Sequence, residues 1–304
     1  MRIRIPATTA NVGCGYDTFG MALGYYNYID CKEADKPSVQ IIGQGAQHLP
    51  LNERNLMLRA VQAVCDAAGR SSLKLAIIAH NNIPLARGMG SSSAAIVGGL
   101  YAANQLLGLP LSCEELLAIG TEIEGHPDNV APALFGGFII IVNDSNRQHI
   151  KRIKLPESLM AVLAIPDFPV QTKKARAILP HKVPLADAVY NLSHAAMLAV
   201  SLAEGDLPCF GAMLKDRLHQ PYRSNLIPGA ADVMAAAQAK GALGCVISGS
   251  GPAMIAFYEG NKEQGKTIGQ AMQQAFCAHE LEAQCMQVAL DNHGTRVESA
   301  ESEE

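Results

Sequence analysis

The sequence predicts an α+β chain built as two domains, and three observations carry that expectation. The chain has 304 residues, enough for about two domains of ordinary size. Strand-like and helix-like segments follow one another irregularly rather than as repeated β-α-β units. A polar stretch, Asn143 to Lys154, interrupts the pattern midway. We therefore expect a first domain over 1–150, a second over 151–292, and a solvated tail over 293–304. Four glutamates between Glu298 and Glu304, with no large apolar residue, support the tail.

The elements follow in order. Arg2 to Pro6, Tyr25 to Glu33 and Val39 to Ile42 read as strands from their β-branched and aromatic content. Asn55 to Ala68 has helical spacing, with Leu56, Ala60, Val64 and Ala68 on one side, and Gly69 closes it. Leu73 to Ala79 reads as a strand, 81–90 as a loop, and Ser91 to Leu107 as a helix of small residues. Ser112 and Glu115 form a capping box for a helix ending near Glu124. A turn and short helix, His126 to Gly137, precede a buried strand, Phe138 to Val142. The second half begins with strand Met160 to Ile165 and has helices near Leu185 to Leu202, Leu207 to Lys215 and Gly229 to Lys240. Strands Cys245 to Ser248 and Ala253 to Tyr258, helix Lys262 to Ala278 and strand Ala283 to Leu290 complete it.

Composition narrows the function. Hydrophobic residues make up 49% and charged residues 17%, which argues against disorder. Lys and Arg total 24 against 28 Asp and Glu, a formal net charge of −4. That balance offers no general polyanion surface, so no nucleic-acid partner is expected, and any phosphate must be held locally. The longest apolar run, Leu159 to Ile165, has seven residues. A membrane span needs about 20, so no membrane partner is expected either. The eight cysteines are scattered without a CxxC pair. With no export signal evident, they read as reduced, mostly buried thiols of a cytoplasmic chain.

The strongest local signal is Pro84-Leu85-Ala86-Arg87-Gly88-Met89-Gly90-Ser91-Ser92-Ser93-Ala94-Ala95. A glycine-rich loop running into a helix turns backbone N–H groups toward a phosphate, and the helix end adds positive potential. Three serines exceed what a helix cap needs. A rival signal, Gly260 to Thr267, fits the Walker A pattern letter for letter. Only 37 residues follow Thr267, too few for the parallel strands a P-loop domain requires, so it is read as the first turn of an amphipathic helix.

Three further segments carry polar groups. Pro6 to Gly20 is dense in glycines and small polar residues, and its Asn11 and Asp17 can accept donors from a ligand. Glu122-Ile-Glu124-Gly-His126-Pro-Asp128-Asn129 suits either a Mg²⁺ carboxylate with substrate contacts or a helix end with an Asx cap, and spacing leaves both open. Gly249 to Met254 follows a short strand and is either a ligand approach or a tight turn. Arg176 and Arg223 are ordinary by composition, though each can fork onto a carboxylate.

Taken in order, the Pro6 segment, the Pro84 to Ala95 loop and Gly249 to Met254 resemble the GHMP small-molecule kinase family, over almost the whole chain. Pro6 to Asp17 and His126-Pro-Asp-Asn-Val-Ala-Pro132 resemble its homoserine kinase branch. Mevalonate and galactose kinases would be expected to carry a basic residue in the first motif and a later catalytic Asp, where this chain has Asn129. The resemblance implies a first domain like the second domain of ribosomal protein S5 and a ferredoxin-like second domain. It implies ATP against Pro84 to Ala94, with Ser92 and a glutamate holding Mg²⁺. Glu122 fits that place best, with Glu124 the alternative. It implies a small-molecule substrate, L-homoserine, held by Asn11, Asp17, His126 and Asn129, with its carboxylate on Arg176 and Arg223. The catalytic set it implies is Asn129, Arg176, Ser92 and Glu122, acting without an Asp base. A different small alcohol, or a non-catalytic ligand sensor, are the rival readings. The resemblance is also compatible with a homodimer, though no stripe in the sequence marks an interface.

Overall fold

The computed structural model describes residues 1–71, 73–144 and 147–298. The first unit is a seven-stranded sheet backed by helices. β1 (Arg2–Ala10) pairs antiparallel with the long β2 (Phe19–Glu33), and the register shifts between Pro6 and Ala7. Proline cannot donate to the ladder, so the irregularity falls where the pairing is weakest. β3 (Ser38–Gly43) lies parallel to β4 (Leu75–Asn81), which pairs with the far half of β2. β5 (Phe138–Asp144) joins the near end of β2 and carries β6 (Arg147–Ile153) outside it.

Most of the polar stretch expected to separate the domains, 147–153, is therefore a strand of the first sheet. Its residues Gln148 to Ile153 are at least partly exposed, and charge on an edge strand discourages pairing with other chains. The first domain continues to Ile153 rather than ending at 150.

α1 (Leu56–Ala67), α2 (Ser91–Leu106), α3 (Cys113–Glu124) and α4 (Val130–Phe135) pack against this sheet and one another. α2 is central, and that is why its residues are small. A Cβ on Gly98 would come within 2.2 Å of Ile29 Cδ1, and one on Gly99 within 2.4 Å of the Met57 carbonyl oxygen. The capping box at Ser112 forms as expected.

The second unit has the strand order β10–β7–β9–β8, all antiparallel. β7 is Leu159–Pro166, β8 Gly244–Ile247, β9 Met254–Glu259 and β10 Ala283–Val288. Between β7 and β8 run α5 (Thr172–Ala177), α6 (Leu185–Glu204), α7 (Leu207–Met213), α8 (Gln220–Arg223), a 3₁₀ turn (Ser224–Leu226) and α9 (Ala230–Ala239). α10 (Lys262–Cys277) links β9 to β10, giving the β-α-β-β-α-β sequence of a ferredoxin-like unit. Alternate residues of β7 serve two cores. Val162 and Ala164 pack with the α9–α10 side, while Ala161, Leu163 and Ile165 join the core shared with the first unit.

The expected tail also begins as structure. β11 (Arg296–Val297) pairs antiparallel with Ile3 and Arg4 of β1. Asp291 turns the chain there, accepting from the backbone of His293 and Gly294 at 2.7 and 2.6 Å and from Tyr26 Oη at 2.9 Å. Glu298 then sits 3.4 Å from Arg2. The remainder of the expected tail, 299–304, lies outside the described residues. Cys14, Cys31, Cys65 and Cys245 are buried, Cys113 and Cys277 exposed, and all eight are free thiols. Among the described residues no helix is long and apolar enough to cross a membrane.

Candidate active site

Three sequence segments far apart in the chain meet at one cleft. The glycine-rich loop enters it with Gly88 and Gly90 at φ of +76° and +70°. A Cβ on Gly88 would lie 2.1 Å from the Ser248 carbonyl oxygen, and one on Gly90 would lie 1.9 Å from Thr8 Oγ1. These glycines let the loop lie directly on its neighbours. The Thr8 backbone N–H donates to Met89 O at 3.2 Å, and that of Ala253 donates to Arg87 O at 3.2 Å. Ser248 Oγ donates to Gly88 O at 2.7 Å, and the Gly249 N–H donates to Ala10 O at 3.2 Å.

α2 starts from this loop with Gly90 as its N-cap residue, and no side chain caps it. Its serines are not caps; they lie in the first turn. Uncapped N–H groups at the start of a 16-residue helix favour an anion. Ser92 Oγ donates to Glu124 Oε2, and Ser93 Oγ donates to Glu124 Oε1 at 2.9 Å. Glu124 is the last residue of α3, where Gly125 ends the helix at φ +92°. Glu122 is exposed and does not line the cleft. Two residues apart on a helix, the two carboxylates point about 200° away from each other. The geometry thus replaces Glu122 with Glu124 beside Ser92.

The opposite wall is polar and charged. Asn11, at φ +69°, is buried. It donates through Nδ2 to Gly249 O at 2.9 Å and accepts from the Asp17 N–H at 3.1 Å. Arg176 on α5 forks onto Asp17 at 2.7 and 2.8 Å and reaches Tyr16 Oη at 3.0 Å. Arg223 on α8 is only 2% exposed. It donates to the carbonyls of Gly249 at 3.0 Å and Ala175 at 3.3 Å. Among the described residues it has no carboxylate within ion-pair distance. Burial pushes its pKa down from the ordinary value. The two arginines expected to act alike are therefore different: one is already paired with a carboxylate, the other is a buried cation held by carbonyls, the His219 ring and the face of Tyr16.

His126 and Asn129 share Asp128, a buried carboxylate. His126 Nδ1 and Asp128 Oδ1 lie 2.6 Å apart, and Asn129 Nδ2 donates to the same oxygen at 3.3 Å. Thr8 Oγ1 donates to Asn129 Oδ1 at 2.7 Å, fixing the amide at both ends. Asn129 occupies the N-cap position of α4, yet its side chain does not cap it, so the Asx cap that the spacing allows does not form. The hydrogen bond His126 donates to Asp128 raises its pKa above the ordinary 6.5, against the effect of burial. Stabilisation from this pair is full below about pH 6.5 and fades as pH rises through the raised value. Asp128→Asn should therefore lower Tm more at about pH 5.5 than at about pH 9. Thermal melts of both proteins check this, and an equal loss at both pH values refutes it.

The cleft has a volume of about 110 Å³. A cavity of about 1060 Å³ between the two units adjoins it through Pro84 and Arg87. Among the expected site residues, Asn11, Asp17, Ser92, His126, Asn129, Arg176 and Arg223 converge on the cleft with Pro84, Ala86 to Ser91 and Glu124. Leu85 lines the larger cavity, while Ser93 and Ala94 are buried below the loop. Sequence reasoning missed Thr8, Asp128, Thr172 and Ser250. Thr8 and Asp128 stood inside quoted motifs; nothing in the sequence marks Thr172. The Walker-like segment forms no phosphate loop. Asn261 caps α10, accepting from Gln264 N at 3.1 Å, and Gly265 is buried inside the helix.

Known proteins resemble this chain over nearly its whole length. Residues 55–137 match the model for the GHMP kinases N terminal domain, and residues 198–279 match the GHMP kinases C terminal model. A homoserine kinase of Moorella thermoacetica is 44% identical over 97% of this chain and 99% of its own. The chain belongs to the GHMP kinase family. A homoserine kinase of Carboxydothermus hydrogenoformans is 40% identical, covering 96% of this GHMP kinase and 95% of its own length. The crystal structure of homoserine kinase from Cytophaga hutchinsonii superposes with a TM-score of 0.89 at 34% identity, covering 98% and 97% of the two chains. Membership of this kinase family makes ATP the phosphoryl donor.

Proposed function

We propose that this GHMP kinase transfers the γ-phosphoryl group of ATP to the side-chain hydroxyl of L-homoserine, a step toward threonine in the cytoplasm. One observation carries the substrate reading. A carboxylate, Asp17, and a buried guanidinium without a carboxylate, Arg223, face one small cleft beside the start of α2. A zwitterionic amino acid matches that pair, its ammonium taking Asp17 and its carboxylate taking Arg223 and the Arg176 fork released from Asp17. The names of the curated relatives support the same substrate.

The triphosphate would lie on the Gly88 to Ser92 loop, with base and ribose in the larger cavity beside Pro84 and Leu85. Ser92 and Glu124 would hold Mg²⁺. Oxygen donors with a single carboxylate suit that ion when phosphates and water complete its shell. Among the described residues no cluster of three or more His, Cys, Asp or Glu side chains forms a full metal site, which fits an ion held largely by the nucleotide. When bound, Mg²⁺ supplies positive charge against the phosphates.

The substrate hydroxyl oxygen bonds to the γ-phosphorus as the bond to the β,γ-bridging oxygen breaks and ADP departs. The hydroxyl proton passes to a phosphate oxygen or to solvent. Asn129, clamped by Thr8 and Asp128, orients the hydroxyl. Asp128 is already engaged by His126 and Asn129, so it is not assigned as the base. Positioning and charge stabilisation suit a loose phosphoryl-transfer transition state.

ADP release measured with homoserine, serine, threonine and mevalonate tests the reading. Homoserine is expected to be the strongly preferred acceptor. Turnover of mevalonate without homoserine would place the chain on another alcohol, and tight binding without turnover of any would make it a sensor.

A further inference from the structure

Arg223 is held from behind by a histidine that does not itself line the cleft. His219 stands just before α8, four positions ahead of Arg223, so the two side chains share one face. Its ring is fully buried. Nε2 lies 2.7 Å from the Gly13 carbonyl oxygen, and Nδ1 lies 3.4 Å from Arg223 Nη1. A carbonyl oxygen only accepts, and a guanidinium only donates. Nε2 therefore carries the proton and Nδ1 offers its lone pair, so the ring is neutral. Burial pushes the His219 pKa below its ordinary 6.5, which fits that state. The nearest carboxylate to the ring is Asp216, 3.7 Å from Nε2, and its side chain is buried too. Asp216 already accepts from the N–H groups of Leu218, His219 and Gln220 and from Asn191 Nδ2. Tyr16 packs on both partners, 5.4 Å from the His219 ring and 5.1 Å from the Arg223 guanidinium.

We propose that His219, as a neutral acceptor, positions Arg223 for the substrate carboxylate without neutralising it. The assignment rests on the homoserine reading. A carboxylate in the place of His219 would pair with the guanidinium, as Asp17 pairs with Arg176, and would compete with the substrate. An apolar side chain there would leave Arg223 Nη1 unoriented and the Gly13 carbonyl without its donor. An imidazole lone pair orients the guanidinium and leaves its positive charge for the ligand. The bond to Gly13 fixes the tautomer that makes this possible. His219 is thus a positioning residue that acts through Arg223.

Steady-state ADP release by the full chain, with homoserine and homoserine amide as acceptors, tests the assignment. His219→Leu is expected to raise the homoserine KM about 10-fold, as loss of a hydrogen bond to a charged group does. Its kcat should stay within about 3-fold of wild type, the split expected when only ground-state binding is lost. The KM values for ATP and for the amide should change little. His219→Gln should recover most of the loss, because its amide offers an N–H to Gly13 and an oxygen to Arg223. Added to Arg223→Gln, His219→Leu should raise the homoserine KM little further. Losses that multiply in the double variant, or equal losses for acid and amide, overturn the assignment of His219. A homoserine KM unmoved by Arg223→Gln overturns the homoserine reading along with it. If His219→Leu does not fold, nitrogen-15 NMR of the wild-type chain decides. One histidine protonated at Nε2 alone, and missing from the His219→Gln spectrum, is expected; a ring protonated at Nδ1 in its place overturns the proposal.

Discussion

Glu124→Gln is expected to lower kcat by roughly 100- to 1,000-fold, the usual loss when one preorganised charge or donor of a reaction centre is removed. Glu122→Gln should leave kcat near wild type. The contrast rests on geometry: both hydroxyls of the α2 first turn, Ser92 and Ser93, donate to Glu124, whereas Glu122 is exposed. An amide at 124 offers one acceptor oxygen instead of two and no negative charge for a cation. Steady-state ADP release at saturating ATP and homoserine, with Mg²⁺ titrated, measures both variants. Equal losses, or a larger loss at Glu122, would reverse the assignment.

Arg223→Gln is expected to raise the homoserine KM by roughly 30- to 100-fold, the ~2–3 kcal/mol of a charge-assisted contact in a dry site. The ATP KM should change little. Arg223 is buried at the cleft with carbonyl partners and no carboxylate, and the proposed substrate carboxylate would supply its counter-charge. Homoserine amide separates this from simple loosening of the Gly249 loop. Wild type and Arg223→Gln should bind the amide about equally, while only wild type should prefer the acid. A matching loss for acid and amide would assign Arg223 a purely structural role.

The helices were readable because their signals are local. The Ser112 capping box, the small residues of α2 and the spacing of α1 each belong to one stretch of chain. The glycine-rich loop was readable for the same reason. The errors share a different cause. Choosing between Glu122 and Glu124 requires knowing where α2 crosses α3. β6 and β11 owe their existence to partners elsewhere, and their polar residues read as linker and tail. The pairing of Arg176 with Asp17 spans 159 positions, so no spacing rule reveals that one arginine is neutralised and the other is not. α6 was legible as a helix, but its apolar residues merge in sequence; only the fold separates those that face inward from those that do not.

The return of the chain after β10 has consequences for how the protein is made. β11, the edge strand beside β1, comes from residues 296–297, synthesised after the whole second unit, while β1 is synthesised before it. Domains ordinarily complete folding in the order of synthesis. Here the first sheet keeps an open edge until the whole second unit has emerged and the chain returns to β1. The backbone passes between the units twice, once after Ile153 and once after Val288. Two covalent crossings and the shared core oppose sliding or twisting of one unit against the other.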